Sequence, residues 1–308
     1  MHLIPTLLAL LLSAQSTAFK LAIPPRPSYV HINNVSQQYP VTLLNKLFSS
    51  VPKREFAIQD VNLTFFGQKN DKDNGGGVVL LVGRSASGKS TILRLIAGME
   101  LPTRGCVAIN GHKITELLHD GEEMASRMPN WLKVGKVPQT SVTSQPVILD
   151  GKADFDDSLT VLERIINMRP DDNSMAQSGL LANDFVNLLG LDGQCSLLPS
   201  QLSPSEQYLF SIACACMVSV TPPATTTKEH NVDDDSVGIP YPILLLDELF
   251  DTEVPSTVEK CSKGITNLIE CGALVISATH RPSYFKGMSK RTVTLSGGKV
   301  LTDITTTS

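Results

Sequence analysis

Two short segments of this 308-residue chain carry residue types at spacings that can handle phosphate. The first is Gly83-Arg84-Ser85-Ala86-Ser87-Gly88-Lys89-Ser90-Thr91, which satisfies GxxxxGK[ST]. A continuous apolar run, Val78-Val79-Leu80-Leu81-Val82, precedes it and reads as a buried parallel strand. The helix-like Ile92-Leu93-Arg94-Leu95-Ile96 follows at once. In that order of strand, glycine loop and helix start, backbone N–H groups can surround a phosphate while the helix N-terminus adds positive potential. Lys89 is then expected to reach the β- and γ-phosphates of a nucleotide, and the Ser90 hydroxyl to ligate Mg²⁺. The second segment, Ile243-Leu244-Leu245-Leu246-Asp247-Glu248, is a hydrophobic strand ending in two carboxylates. Asp247 would hold Mg²⁺ through water, and Glu248 would orient or deprotonate an attacking water.

The surrounding chain alternates strand-like and helix-like segments, which is the signature of an α/β protein. Residues 29–32 and 56–66 read as strands, separated from the phosphate-binding segment by the polar, glycine-rich stretch 67–77. Residues 163–168 and 179–191 read as helices of a middle segment, and 243–246 and 274–277 as two more buried strands. The stretch 221–241, rich in Pro, Thr and Asp, reads as a disordered surface loop.

Composition narrows the function class. Lys plus Arg number 26 against 30 Asp plus Glu, for a net charge of −4, so no basic excess exists to release phosphate counterions from a nucleic acid. Aromatics at 5% leave little for base-stacking platforms, and no nucleic-acid partner is expected. Six cysteines, with no CxxC pair, read as buried free thiols rather than a disulfide framework or a zinc site.

Residues 4–14, IPTLLALLLSA, form an apolar run too short to span a bilayer. With Ser16-Thr17-Ala18 before Phe19, it resembles a secretory signal peptide, although the leading segment has neither Lys nor Arg. A buried N-terminal helix or a wrong start codon are the alternatives. Residues 1–28 are therefore taken as a targeting presequence. Ala18-Phe19 resembles the cut site of bipartite presequences in algae with complex plastids, and residues 19–27 carry Lys20 and Arg26 but no acid. The expected destination is a plastid stroma, which also suits unpatterned cysteines, or else a membrane reached through a partner. No other stretch is long and apolar enough to cross a bilayer, so transport would need another chain.

A phosphate loop alone does not separate kinases, GTPases and transport ATPases. Over about residues 29–303, however, the chain resembles the ATP-binding cassette (ABC) ATPases, whose elements occur here in the family's order. Tyr39 lies where the family places an adenine-stacking ring. Val137-Pro138-Gln139 resembles the Q-loop, whose glutamine touches Mg²⁺ and senses a transmembrane partner. Leu202-Ser203-Pro204-Ser205-Glu206-Gln207 sits where the LSGGQ signature belongs, and Thr279-His280 resembles the switch histidine that contacts the γ-phosphate. The resemblance implies a P-loop NTPase with a RecA-like core, an antiparallel β subdomain and an α-helical signature subdomain at about 140–215. It further implies ATP hydrolysis with Mg²⁺, with Glu248 and His280 catalytic, residues 83–91 and Tyr39 holding ATP, and Ser90, Gln139 and Asp247 serving the metal. Ser203 and Ser205 would face the nucleotide of a second nucleotide-binding domain, beside a separate permease.

Several departures from the family stand out. Pro204-Ser205 replaces Gly-Gly, and proline lacks an N–H and fixes φ. Leu249-Phe250 replaces the usual Pro-Thr, Asp251-Thr252-Glu253-Val254 is a poor match to the D-loop, and Ala86 stands where a loop glycine is common and should strain that turn. The pocket in cis thus reads as complete and the surface offered in trans as degenerate, so a heterodimer with an intact-signature partner is expected. A non-hydrolysing ATP-binding regulatory subunit and a soluble, non-transport ATPase are the alternatives. Leu295-Ser296-Gly297-Gly298-Lys299 mimics the signature but lies beyond His280 and reads as a hairpin turn.

Overall fold

The computed structural model describes residues 28–39, 56–67, 77–113, 146–149, 158–168, 175–219, 242–250 and 253–306. Residues 1–27 of the presequence, Gln139, Asp251-Thr252 and the loop 221–241 lie outside these residues.

Two sheets organise the chain. Strands β1 (Tyr29–Gln37), β2 (Ile58–Phe66), β4 (Arg104–Ile109) and β5 (His112–Lys113) form an antiparallel sheet in the order β2-β1-β4-β5. Its strands alternate: Val30, Ile32, Val61, Leu63 and Phe65 are buried, while their neighbours in sequence turn outward. The second sheet joins β3 (Val78–Val82), β6 (Pro146–Leu149), β7 (Ile243–Asp247), β8 (Leu274–Thr279), β9 (Ser289–Ser296) and β10 (Lys299–Thr305) in the order β10-β9-β3-β8-β7-β6. All neighbours are parallel except the β9–β10 hairpin. β3, β7 and β8 are central, and their apolar runs are buried, as both faces of a parallel sheet are covered. The fold is that of a P-loop NTPase with an added antiparallel β part and helical part.

Helix α1 (Lys89–Ile96) packs on β6, β7 and β8. The helical part comprises α2 (Val161–Asn167) and α3 (Met175–Leu189), which pack with α4 (Pro204–Ser219), while α5 (Pro255–Glu270) packs on α3 and α4. Thr160 caps α2, with its hydroxyl accepting the Glu163 N–H while Glu163 accepts the Thr160 N–H. α4 is apolar on every side and accordingly buried on every side from Tyr208 to Ser219, reaching β6 and β7.

The expected helical span of 140–215 needs correction, because residues 146–149 form β6 and pair with β7 at the edge of the parallel sheet. The short apolar run Pro146-Val147-Ile148-Leu149 completes that sheet, and the helices begin only with α2. The Gly297-Gly298 hairpin is present, with both glycines left-handed at φ 60° and 79°. All six cysteines are free.

Arg291 on β9 stitches the two sheets together. Its Nε and Nη2 donate to the Asp303 carboxylate at 2.7 and 2.6 Å, its Nη1 donates to the Thr64 carbonyl on β2, and the guanidinium sits 5.3 Å from the Phe65 ring centroid. Arg291→Ala removes a charge-assisted bond and a cation–π contact and leaves Asp303 without its bidentate donor. It is expected to cost about 2 kcal/mol, read as a lower urea midpoint; an unchanged midpoint would mean the stitch carries no weight.

Candidate nucleotide site

Register brings the chemistry to one end of the central parallel strands. Val82 pairs with Thr279, and Asp247 with Ala278, so β3, β8 and β7 end level with β8 in the middle. The loop after β3, the carboxylates closing β7 and the histidine after β8 converge at those carboxyl ends, where open α/β sheets hold ligands.

The loop Gly83–Gly88 is shaped by close approach. A Cβ at Gly88 would lie 2.5 Å from Ile58 Cγ2, and its φ of 107° is left-handed. Gly298 of the hairpin supports the loop from behind. Its N–H donates to the Ser87 carbonyl, its carbonyl accepts the Gln59 N–H, and a Cβ there would meet the Ala57 carbonyl at 2.5 Å. The signature-like hairpin therefore braces the phosphate loop, a role its sequence did not disclose. Ala86 adopts φ 58°, so the anticipated strain is real and worth roughly 1–2 kcal/mol for a residue with a Cβ. Arg84, Ser85 and Ala86 form the exposed apex, whereas Ser87, Gly88, Lys89 and Thr91 are buried.

Lys89 starts α1 and is only 4% exposed. Its Nζ donates to the Gly83 carbonyl at 3.1 Å and lies 3.5 Å from that of Arg84, 3.4 Å from His280 Nε2 and 3.8 Å from Glu248 Oε1. Ser90 Oγ donates to Asp247 Oδ1 at 2.9 Å, which places a hydroxyl and a carboxylate together as a hard-cation donor pair. Glu248 Oε1 is 2.8 Å from His280 Nε2, and both side chains are open to solvent. Glu248 takes a left-handed φ of 53°, held by its N–H donating to the Ala278 carbonyl. Such strain collects where a side chain must point at chemistry.

Tyr39 follows β1 and reaches both the first turn of α1 and the segment that follows the helix. Its hydroxyl donates to Glu100 Oε2 at 2.6 Å and lies 3.5 Å from Thr91 Oγ1; the ring remains 40% exposed. Burial, then the Glu100 carboxylate, raise the phenol's pKa.

Ser203 and Ser205 stand apart, at the start of α4. The Glu206 carboxylate accepts the Ser203 N–H at 2.7 Å and the Gln194 amide at 3.0 Å, and these bonds from Ser203 hold its pKa below the usual carboxylate range. Ser205 is 5% exposed, with its Oγ 3.3 Å from Ser203 Oγ. A serine, a proline at the first helical position and a glutamate three residues after the serine form a helix-start signature. The expected signature helix beginning near Ser203 is therefore present, and these three residues start it. Of the two serines expected to face another chain, only Ser203 is partly exposed, and Ser205 is turned inward.

Residues 72–221 match the family model described as ABC transporter. An uncharacterized ABC transporter ATP-binding protein of Mycobacterium tuberculosis is 29% identical over 227 residues, covering 73% of this chain and 77% of its own. The cell division ATP-binding protein FtsE of the same species is 29% identical over 252 residues, 80% of this chain and 88% of that one. The dimeric structure of a bacterial ABC transporter cassette superposes with a TM-score of 0.57 at 21% identity, covering 90% of this chain and 98% of that chain. Residues 72–221 belong to the ABC transporter family.

As an ABC domain it is an ATPase. The structure gathers five of the family's cis residues: Lys89, Ser90, Asp247, Glu248 and His280. It sets the Tyr39 hydroxyl between Thr91, in the first turn of the helix that Lys89 begins, and Glu100 beyond that helix, and the Q-loop position Gln139 lies outside the described residues. Among the described residues no helix is long and apolar enough to cross a membrane.

Proposed function

We propose that this ABC domain hydrolyses ATP as one half of an asymmetric pair, whose partner supplies the intact signature. The observation that carries this reading is the contrast between the gathered cis residues and the start of α4, where Pro204 has no N–H, Ser205 is buried and the Ser203 N–H already serves Glu206. In a homodimer both composite sites would carry this cap.

Lys89 holds negative charge at the β- and γ-phosphates, with the α1 N-terminus behind it. Glu248 accepts the proton of the attacking water, and His280 keeps that carboxylate aimed. The Ser90–Asp247 pair fits Mg²⁺, which when bound would neutralise phosphate charge. Tyr39 supplies the exposed ring for adenine.

The experiment is the turnover of the isolated chain. It should be low, and Pro204→Gly with Ser205→Gly should raise it without any partner, by about tenfold if one or two phosphate contacts return. Turnover typical of a competent ATPase from the unaltered chain alone would count against the pairing.

The coupled machine is a transporter or an assembly complex. Relatives named for methionine import in Bacillus subtilis, 24% identical over 259 residues, and for cell division motivate both. Recovery of a membrane permease with the tagged chain selects the former. For location we propose the presequence route to a plastid stroma. Residues 1–30 fused to a fluorescent protein should reach the plastid of a complex-plastid alga and fail with Phe19→Ala; a cytosolic or secreted fusion rules it out.

A further inference from the structure

The segment that matched the D-loop poorly has a partner of its own. Tyr208, in the second turn of α4, is buried, and its hydroxyl donates to Glu253 Oε1 at 2.6 Å. Its ring meets Phe250 edge-on at 5.7 Å, and Phe250 in turn meets Phe285 at 6.2 Å, so the bond sits beside apolar packing. The Glu253 carbonyl accepts the Tyr284 hydroxyl at 3.4 Å. That hydroxyl accepts Arg281 Nη1 at 2.6 Å, and the guanidinium lies 5.5 Å from the Tyr284 ring centroid. Arg281 is the residue after His280, and its N–H donates to Thr279 Oγ1 at 2.9 Å. Polar contacts thus run from the start of α4 to Arg281 and Thr279, the two residues that flank His280 in sequence, and His280 Nε2 faces Glu248 and Lys89.

We propose that Tyr208, Glu253, Tyr284 and Arg281 are positioning residues that tie the start of α4 to the Glu248–His280 end of the same chain, so that nucleotide held by Lys89 orders residues 203–210. The inference rests on the nucleotide site proposed above. A charge-assisted bond as short as that between Tyr208 and Glu253, flanked by aromatic rings, is stronger than one in water, so a shift at either end must break it or carry the other end along. Burial, followed by the Glu253 carboxylate, raises the Tyr208 pKa, so the hydroxyl keeps its proton and stays a donor even above the ordinary phenol range.

Amide hydrogen exchange on the full chain, with and without Mg²⁺ and a non-hydrolysable ATP analogue, tests this. In the parent, exchange should slow at residues 83–96 and also, by about tenfold, at 203–210. Tyr208→Phe and Glu253→Ala should keep the slowing at 83–96 and lose it at 203–210. Glu253→Gln, whose amide oxygen still accepts the hydroxyl, should restore it. A merely structural role would alter exchange equally with and without nucleotide. Should Tyr208→Phe melt, the contrast between Glu253→Ala and Glu253→Gln carries the test. Full slowing at 203–210 in the Ala and Phe variants, or none there in a parent that is protected at 83–96, overturns the coupling alone. No protection at 83–96 in the parent overturns the nucleotide site and the coupling with it.

Discussion

Lys89→Ala is expected to abolish tight Mg-ATP binding in a chain that stays folded. The ammonium is buried at the mouth of α1, where solvent screens it little, and its neighbours are carbonyls and the Glu248–His280 pair. Contacts from such a charge to two phosphates are worth roughly 3–5 kcal/mol together, or about 10²–10⁴-fold in affinity. The substitution also removes the donor to the Gly83 carbonyl, so a modest loss of stability is expected without nucleotide. Calorimetric titration with Mg-ATP, alongside circular dichroism of the free variant, separates the two effects. Equal affinity in a folded variant would overturn the assignment of the loop.

Glu248→Gln is expected to lower kcat by about 10²–10⁴-fold while ATP stays bound. The amide oxygen can still accept from His280 Nε2, so the local geometry persists, but a neutral amide cannot take a proton from water. Nucleotide recovered from the variant with its partner present should be ATP rather than ADP. Unchanged turnover would move the base to another residue. His280 sits 2.8 Å from the carboxylate and would be the first to examine.

The elements closest to the chemistry were the most legible in sequence. Val78–Val82 and Ile243–Asp247 are continuous apolar runs, and such runs become central parallel strands because both faces are covered. Less legible were β4, β5 and α5, none of which was anticipated. Arg104–Ile109 is partly exposed and opens with Arg-Gly, and α5 spreads its apolar residues among Lys, Glu, Ser and Thr. β6 falls inside the span expected to be helical because a four-residue run has no period of its own, and only its pairing with β7 defines it.

By itself the sequence determined the phosphate loop, the paired acids and their order along the chain. Local spacing is enough for those, since a glycine loop between strand and helix dictates its own backbone. Tertiary structure alone decided what stands beside what. His280 reaches Glu248 and Lys89 because β8, late in the chain, inserts between β3 and β7, a neighbour relation that no local period encodes. The hairpin at Gly298 braces the phosphate loop, and Tyr208 finds Glu253, for the same reason. Such contacts join residues far apart in sequence, and only the packing of α4 and the sheet order makes them neighbours.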